Sequence, residues 1–184
     1  MGDITQLIQR ARAGERAAFD GIFEALYPEL RRIAHARLAR NVRDTLLGTT
    51  ALVHECYMKF VNAQRLGVED RVHFLAYSAT AMRSIIVDAA RAARAERRGG
   101  DAAHVTLNTE HADSLAQGED EIVDVDEALR GLAQLDPRLV RVVEMRYFGG
   151  MTDAEIGAAL GLTDRTVRRD WEKARLLLAH ALRG

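Results

Sequence analysis

The sequence predicts an all-α protein. Alanine, leucine and arginine dominate its 184 residues, and only two prolines interrupt the chain. Apolar residues recur at steps of three and four, whereas the alternating pattern that is typical of β-strands is hard to find anywhere. Because 48% of the residues are hydrophobic, the chain has enough apolar surface to bury the core of one domain or of two small ones.

The first half of the sequence predicts four helices in succession. Stripes of apolar residues at helical spacing place them at about 3–14, 19–33, 49–62 and 72–98. In the fourth helix the apolar residues stop, and the helix ends in the basic segment AARAARAERR before Gly99 and Gly100. These signals predict a helical domain over residues 1–98.

Residues 99–121 predict an acidic, flexible linker, because no apolar period is sustained there. Eight acidic residues and no lysine or arginine lie between Glu110 and Glu127, whereas Arg83 to Arg98 and the last helix are basic. The formal net charge of −1 therefore hides an uneven distribution of charge. Such a distribution is compatible with nucleic-acid binding by the basic segments.

A second helical domain is predicted over residues 122–184. A helical pattern resumes at Ile122, and Asp136 followed by Pro137 has the form of an N-cap and first helical turn. Two glycines at 149–150 are expected to end that helix after Phe148.

The segment 152–175, TDAEIGAALGLTDRTVRRDWEKAR, predicts two short helices joined by a tight turn. Thr152 and Glu155 have the spacing of a capping box, Gly161 suits the turn, and Thr163 offers a second N-cap. A further glycine at position 157 allows close approach where the two helices cross. This pattern is typical of a helix-turn-helix DNA-binding module.

The second of these helices has one apolar face and one charged face. Its apolar residues are expected to point inward and are Val167, Trp171, Ala174 and Leu178. Its charged residues project together on the other side and are Arg165, Arg168, Arg169 and Glu172. An isolated arginine-rich face is more often only solvated. Here the two caps and the turn glycine favour contact with DNA.

Other classes of protein are not indicated by the sequence. No phosphate-binding glycine loop, metal-spaced His/Cys cluster or nucleophile–base pair is recognisable, so we expect no enzyme activity, cofactor or metal. The single cysteine, Cys56, cannot form an intramolecular disulfide and suits a buried helical position. Because no segment resembles a signal peptide or a membrane span, we expect a soluble cytoplasmic protein.

Three segments carry a resemblance to a known family. They are LVHECYMKF and AMRSIIVDAARAAR in the first half and RYFGGMTDAEIGAALGLTDRTVRRDWEKAR in the second. Together they resemble bacterial sigma-70 family initiation factors of the short extracytoplasmic-function (ECF) type, over nearly the whole chain. The resemblance implies that the protein binds core RNA polymerase and promoter DNA. Its first domain would melt and capture the minus-ten element, and its last domain would read the minus-thirty-five element.

The resemblance also assigns DNA contacts to individual residues. At the minus-thirty-five element, the expected base-contacting residues are Arg165, Arg168 and Arg169, with Thr166 beside them and with phosphate contacts from Lys173 and Arg175. At the minus-ten element, the corresponding helix surface comprises Arg83, Ser84, Asp88, Arg91, Arg94, Arg97 and Arg98. The loop that would capture a flipped base offers the polar residues Gln64, Arg65 and His73 but no aromatic ring.

The segment that would dock on polymerase departs from the family pattern. Family members usually carry acidic-Ala-acidic-acidic-Leu-Val-Gln-Glu, whereas this chain has GTTALVHE. The expected docking residues are Thr49, Thr50, Ala51, His54 and Glu55. We hypothesise that a Ser/Thr kinase restores the missing negative charge by phosphorylating Thr50, with Thr49 as the second candidate. Alternatively, one of the two threonines serves only as an N-cap.

Two other functions stay open at this point. An autonomous helix-turn-helix regulator with a helical sensing domain would bind duplex DNA without polymerase. A helical adaptor would use the same surfaces for protein contacts, and its binding would depend little on salt, whereas phosphate neutralisation makes DNA binding steeply salt-dependent. If the chain is a sigma factor, an anti-sigma factor would be a further partner.

Overall fold

The computed structural model describes residues 4–41, 47–62, 68–98 and 109–183. In these ranges the regular structure is entirely helical, which confirms the predicted fold class. The α-helices are α1 Ile4–Arg12, α2 Arg16–Asn41, α3 Thr49–Asn62, α4 Arg71–Arg98, α5 Thr109–Leu135, α6 Pro137–Val143, α7 Asp153–Leu160 and α8 Asp164–Ala181, and a π-helical turn spans Glu144–Phe148.

The first helices pack around a cluster of aromatic side chains. The rings of Phe60 and Phe74 stack with their centroids 4.6 Å apart, and Phe23 packs edge-to-face against them at 5.2 and 5.5 Å. Cys56 of α3 is fully buried in the same hydrophobic cluster. Burial raises the pKa of its thiol to about 12. The cysteine is therefore an unreactive core residue, in agreement with the prediction.

The bounds of α3 and α4 agree with the sequence prediction within one residue. The carbonyl group of Gly48 accepts the amide of Leu52 at 2.9 Å, so Gly48 rather than either threonine takes the N-cap position of α3. Asp70 caps α4 by accepting the amide of His73 at 2.9 Å. At the start of α4, the Asp70 side chain thus satisfies one of the first free amides of the helix.

The largest difference from the sequence prediction lies at the start of α5. Residues 109–121, predicted as a flexible linker, form the first turns of this helix, which begins well before Ile122. Alanine, glutamate and glutamine are good helix formers, and acidic residues are favoured near a helix N-terminus. Ile122 and Val123 then pack on Val87 and Ala90 of α4. Because the first turns carry no apolar stripe, periodicity alone missed them. The rest of the predicted linker, residues 99–108, lies outside the described residues.

The segment after Leu135 begins as predicted and ends differently. The Asp136 side chain accepts the amide of Arg138 at 3.1 Å, and a proline occupies the first turn of α6. The helix that was expected to run to Phe148 is α-helical only to Val143, because its last turn widens into the π-helical turn. A Cβ atom on Gly149 would lie 3.0 Å from the Cβ of Ala79 on α4. The wider turn and the glycine let this segment pack closely on α4.

One hydrophobic cluster extends across both halves of the chain. Met145, Ile156 and Val167 from the second half belong to the same buried cluster as Phe74 and Met82 from the first half. The described halves are thus packed together through apolar side chains. The division into two separate domains stays a sequence-based prediction.

The connection between α7 and α8 has the predicted local signals. Thr152 and Glu155 form a reciprocal capping box at the start of α7. Gly161 ends α7 with a φ of 65°, in the left-handed region that favours glycine. The Thr163 side chain accepts the amide of Thr166 and so caps α8. These three signals place two helices around a turn of only a few residues.

Gly157 permits a close backbone approach, but to the turn rather than to α8. A Cβ atom at this position would lie 2.6 Å from the carbonyl oxygen of Leu162. The amide of Leu162 in turn donates to the carbonyl of Gly157 at 2.9 Å. The turn therefore lies directly against the backbone of α7.

We expect Gly157→Ala to destabilise the protein by about 1–3 kcal/mol, because the added methyl group forces the Leu162 backbone to move. Gly131→Ala on α5 is the matched control, since a Cβ atom there meets nothing within 4 Å. Alanine in a helix interior is favoured over glycine by about 1 kcal/mol, so the control should be more stable than the wild type. Urea unfolding measures both free energies. Wild-type stability in Gly157→Ala would contradict the close contact.

Glu155 should make the stability of α7 depend on pH. Hydrogen bonds from Thr152 lower the pKa of its carboxyl group, burial opposes them, and Arg71 of α4 lowers the pKa further. A carboxyl group with a lowered pKa in the folded chain contributes stability above its unfolded pKa and loses that contribution as the pH falls through its folded pKa.

Between about pH 6 and pH 3, the wild type should therefore lose more stability than Glu155→Gln, as measured by denaturant unfolding at each pH. Glu127→Gln, at an exposed position on α5, should follow the wild type. Identical pH dependence in all three proteins would show that the capping carboxylate does not contribute.

Candidate nucleic-acid interface

The outer face of α8 presents three arginines to solvent. Val167 and Ala174 on its inner face are fully buried and fix the rotation of the helix. The side chains of Arg168 and Arg169 are 69% and 73% exposed, and Arg165 is exposed as well. A firmly packed helix that carries guanidinium groups in this way has the shape and chemistry to enter a DNA major groove.

Arg168 has a partner within the protein. Its Nε atom lies 3.0 Å from Oδ2 of Asp153, the first residue of α7. Asp153 also pairs with Arg146, whose guanidinium lies 5.0 Å from the centre of the Trp171 ring. One carboxylate thus links the start of α7 to α8 and to the π-helical turn. Arg168 would have to share or leave this carboxylate in order to contact a base.

The other predicted minus-thirty-five residues occupy two environments. The amide of Thr166 donates to the Thr163 hydroxyl at 3.3 Å, and the two hydroxyl groups lie 3.0 Å apart. Thr166 is therefore part of the cap of α8. Lys173 and Arg175 are exposed. Lys173 lies 3.7 Å from Asp136, and Arg175 lies 3.6 Å from Glu172. Such surface pairs are weak and leave both cations accessible.

Sequence reasoning missed a buried carboxylate on the inner side of α8. Asp170 is 2% exposed, and Arg138 of α6 pairs with it at 2.8 Å. This ion pair holds α6 against α8. A charged residue three positions after the inward-facing Val167 was the signal that could have identified it.

Of the three polar residues predicted in the minus-ten loop, only His73 belongs to the described residues, while Gln64 and Arg65 lie outside them. Its ring Nδ1 lies 2.9 Å from Oδ1 of Asp70, the same carboxylate oxygen that caps α4. Burial alone would raise the pKa of Asp70, but the bonds from His73 lower it below its usual range. The position of His73 is therefore tied to the start of α4.

Arg83, expected on an open DNA-facing surface, lies in a buried network of ion pairs. Its two terminal nitrogens lie 2.7 Å from Oδ1 of Asp126 on α5 and 2.5 Å from Oε1 of Glu144 in the π-helical turn. The Thr80 hydroxyl donates to the second oxygen of Glu144 at 3.0 Å. Only 13% of the Arg83 side chain is exposed. In the described conformation α5 and the π-helical turn cover Arg83, and its contact with DNA stays a prediction.

Arg91 and Arg94 also face α5. Arg91 lies 2.8 Å from Oδ2 of Asp126, and Arg94 lies 3.3 Å from Asp120. Arg130 of α5 pairs with the same Asp126 oxygen at 2.9 Å. The basic end of α4 and the acidic start of α5, which the sequence analysis treated as separate segments, are therefore electrostatic partners.

The remaining minus-ten candidates lie beside this contact. The Ser84 hydroxyl accepts from Lys59 of α3 at 2.8 Å and donates to Asp88 at 3.3 Å, and Asp88 is exposed. Arg97 and Arg98 form the last turn of α4, and their side chains lie outside the described residues.

The predicted polymerase-docking residues share the outer face of α3. Four of them are exposed, namely Thr50, Ala51, His54 and Glu55, and Thr49 is partly exposed. The residues between them, including Leu52 and Val53, are buried. Because Gly48 is the N-cap, Thr49 and Thr50 are the first two helical residues, where backbone amides have no partner within the helix.

Two properties of the described residues bear on the class of protein. None of their helices combines the length and hydrophobicity needed to cross a membrane. None of their His, Cys, Asp and Glu side chains form a group of three or more that could hold a metal ion.

Comparison with known proteins agrees with the family resemblance found in the sequence. A family model described as ECF sigma factor matches residues 1–184. A search of curated proteins found no match. Factors of this family act in transcription initiation with RNA polymerase at promoter DNA and are not enzymes. The chain therefore belongs to the ECF sigma factors of the sigma-70 family.

Proposed function

We propose that this sigma factor directs promoter-specific initiation by binding core polymerase through α3 and promoter DNA through α4 and α8. The observation that carries the proposal is the outer face of α8, where guanidinium groups project from a helix whose rotation is fixed by buried Val167 and Ala174. The protein would act where the polymerase is, in the cytoplasm.

Base recognition at the minus-thirty-five element is assigned to Arg165, Arg168 and Arg169. A bidentate arginine–guanine contact contributes about 1–3 kcal/mol of discrimination. Arg168 contributes less binding free energy than Arg165 and Arg169, because it gives up its ion pair with Asp153 in order to contact a base. Lys173 bonds backbone phosphate. Thr166 donates its amide to the capping hydroxyl of Thr163 at the helix end that enters the groove.

At the minus-ten element, the basic end of α4 supplies phosphate contacts, which position DNA without reading its sequence. The loop that contains Gln64, Arg65 and His73 supplies the polar groups for a captured base. Arg83 and Arg91 take part only after they leave their carboxylate partners on α5.

In vitro transcription with core polymerase over a promoter library tests the proposal directly. An autonomous regulator would instead shift duplex DNA in a gel without core enzyme. A helical adaptor would bind its partner with little dependence on salt, whereas DNA binding weakens steeply as salt rises. The absence of any promoter-specific transcript would overturn the proposal.

We further propose that phosphorylation strengthens docking on polymerase. Thr50 is exposed in the first turn of α3, where free amides and the helix dipole favour an anion. A phosphoryl group adds a charge of about −1.5 to −2, which replaces the carboxylates that GTTALVHE lacks. Thr49 is the second candidate.

Replacing Arg169 by alanine should lower promoter-specific transcription by about 5- to 150-fold, the equivalent of one lost base contact. Arg141→Ala removes one positive charge from an exposed position on α6 and is the matched control. Transcript yield and the preference for the best minus-thirty-five sequence over a scrambled one are measured for both. Equal loss of preference in the two variants would contradict base recognition by α8.

Docking should become at least about tenfold tighter on phosphorylation of Thr50, since new charge-assisted hydrogen bonds form with the polymerase. Pull-down of core enzyme compares wild type, kinase-treated protein, Thr50→Ala and Thr50→Asp. Asn62→Asp, which adds a negative charge at the other end of α3, is the control and should not increase binding. Equal binding by the phosphorylated and unmodified proteins would exclude the switch.

A further inference from the structure

Asp153, the first residue of α7, pairs with two arginines at once. Oδ2 of its carboxylate accepts Nε of Arg168 at 3.0 Å, and Oδ1 pairs with Arg146 of the π-helical turn. The Arg168 side chain is 69% exposed. The Arg146 side chain is 27% exposed, and its guanidinium lies 5.0 Å from the centre of the Trp171 ring. One arginine is therefore packed within the protein, while the other is turned towards solvent.

We propose that Arg146 is a positioning residue for base recognition, because it keeps the Asp153 carboxylate neutralised when Arg168 leaves for a DNA base. In the proposed function, on which this inference rests, Arg168 gives up its ion pair with Asp153 at the minus-thirty-five element. Arg146 thus acts through the carboxylate and lowers the cost of releasing its neighbour.

The cost of releasing Arg168 depends on what stays with Asp153. Only 21% of the Asp153 side chain is exposed, so water cannot fully replace a lost cation. A carboxylate left alone there would also repel DNA phosphates, because the first helix of a helix-turn-helix crosses the phosphate backbone. With Arg146 still bonded, the remaining pair carries no net charge, and both penalties become smaller.

Repulsion between the two arginines also favours the release of Arg168. Burial lowers the pKa of Arg146 below its usual range, Glu172 of α8 opposes this effect, and the positive charge of Arg168 lowers the pKa further. The two guanidinium groups are therefore close enough to repel each other, and the departure of Arg168 relieves that repulsion. Arg146, held over the Trp171 ring, stays with the carboxylate.

A second carboxylate is shared in the same way on α8. Oδ2 of Asp170 lies 2.8 Å from Arg138 of α6, and its Oδ1 lies 3.7 Å from Arg169. Asp170 is 2% exposed, so it too needs a cation that remains when Arg169 contacts a base. Two arginines of the outer face of α8 thus each have a carboxylate partner that keeps a second arginine.

Arg146→Met tests the proposal, because methionine is also a long, unbranched side chain but carries no charge. Arg141→Met makes the same change at an exposed position on α6 and is the matched control. Holoenzyme assembled from core polymerase and each variant is titrated into a labelled promoter duplex that carries the preferred minus-thirty-five element. Fluorescence anisotropy gives the dissociation constants. We expect Arg146→Met to raise the dissociation constant at least about fivefold, and Arg141→Met to leave it within about twofold.

Combined substitutions separate this role from a loss of structure. Asp153→Asn removes the charge that Arg146 neutralises, so its addition to Arg146→Met should return the dissociation constant to the wild-type value or below. In an Arg168→Ala protein no arginine has to be released, and Arg146→Met should then change the dissociation constant by less than about twofold. An equal loss in all three backgrounds would show a purely structural role and overturn the proposal.

Promoters with single base-pair changes give a second measurement. Arg168→Ala identifies the base pair whose preference depends on that side chain. Arg146→Met should weaken the preference at this base pair and leave the others unchanged, because it holds back Arg168 alone. A uniform loss of preference at every position would contradict the proposal.

Asp153→Asn alone covers the case in which Arg146→Met does not fold, as judged by circular dichroism. It should lower the dissociation constant at least about threefold, and this gain should disappear in the Arg168→Ala protein. Asp164→Asn, at the exposed first residue of α8, makes the same change of net charge. Its effect should be equal with and without Arg168. An Asp153→Asn gain that persists in Arg168→Ala would overturn the proposal.

Failure of this inference differs from failure of the proposed function. If Arg168→Ala removes a base preference, but Arg146→Met and Asp153→Asn have the same effects with and without Arg168, the role of Arg146 is overturned and the function stands. Absence of any promoter-specific transcript from the wild-type holoenzyme would overturn the function itself.

Discussion

The ion pairs between α4 and the second half of the chain constrain the rest of the structure. Arg83 is almost buried and lies between Asp126 and Glu144. A buried guanidinium that lost these partners would be strongly unfavourable, so the segments that carry the two carboxylates must keep their places beside α4. Because α7 and α8 pack on those segments, this network sets the position of α8 as well.

Charge and apolar packing have different roles at this contact. Burying ions costs much of what their attraction returns, so a buried ion-pair network stabilises a protein little but favours one arrangement over others. Most of the stability comes instead from the hydrophobic cluster that includes Phe74, Met82 and Ile156. Apolar packing thus holds the halves together, while the network on Arg83 selects how α4 and α5 meet.

The same residue type therefore has two roles in this sigma factor. Arg169 on α8 is 73% exposed and its ion pair with Asp170 is long, at 3.7 Å, so its guanidinium stays hydrated and can exchange that water for a base. Arg83 on α4 is already bonded to carboxylates of the same chain. In the sequence both belong to basic helical segments of similar composition, and nothing local distinguishes them. Only the partner that each side chain meets decides whether it is available.

The sequence by itself determined the features whose causes lie within a few residues. They include the all-α fold, the limits of α3, the capping box at Thr152 and the turn at Gly161, and the family follows from three short segments. Tertiary structure alone decided the partners of Arg83, which come from 43 and 61 residues away. It also gave the polar start of α5 a neighbour that periodicity did not indicate. Capping acts between adjacent turns, whereas a buried charge is satisfied by whatever the folded chain brings beside it.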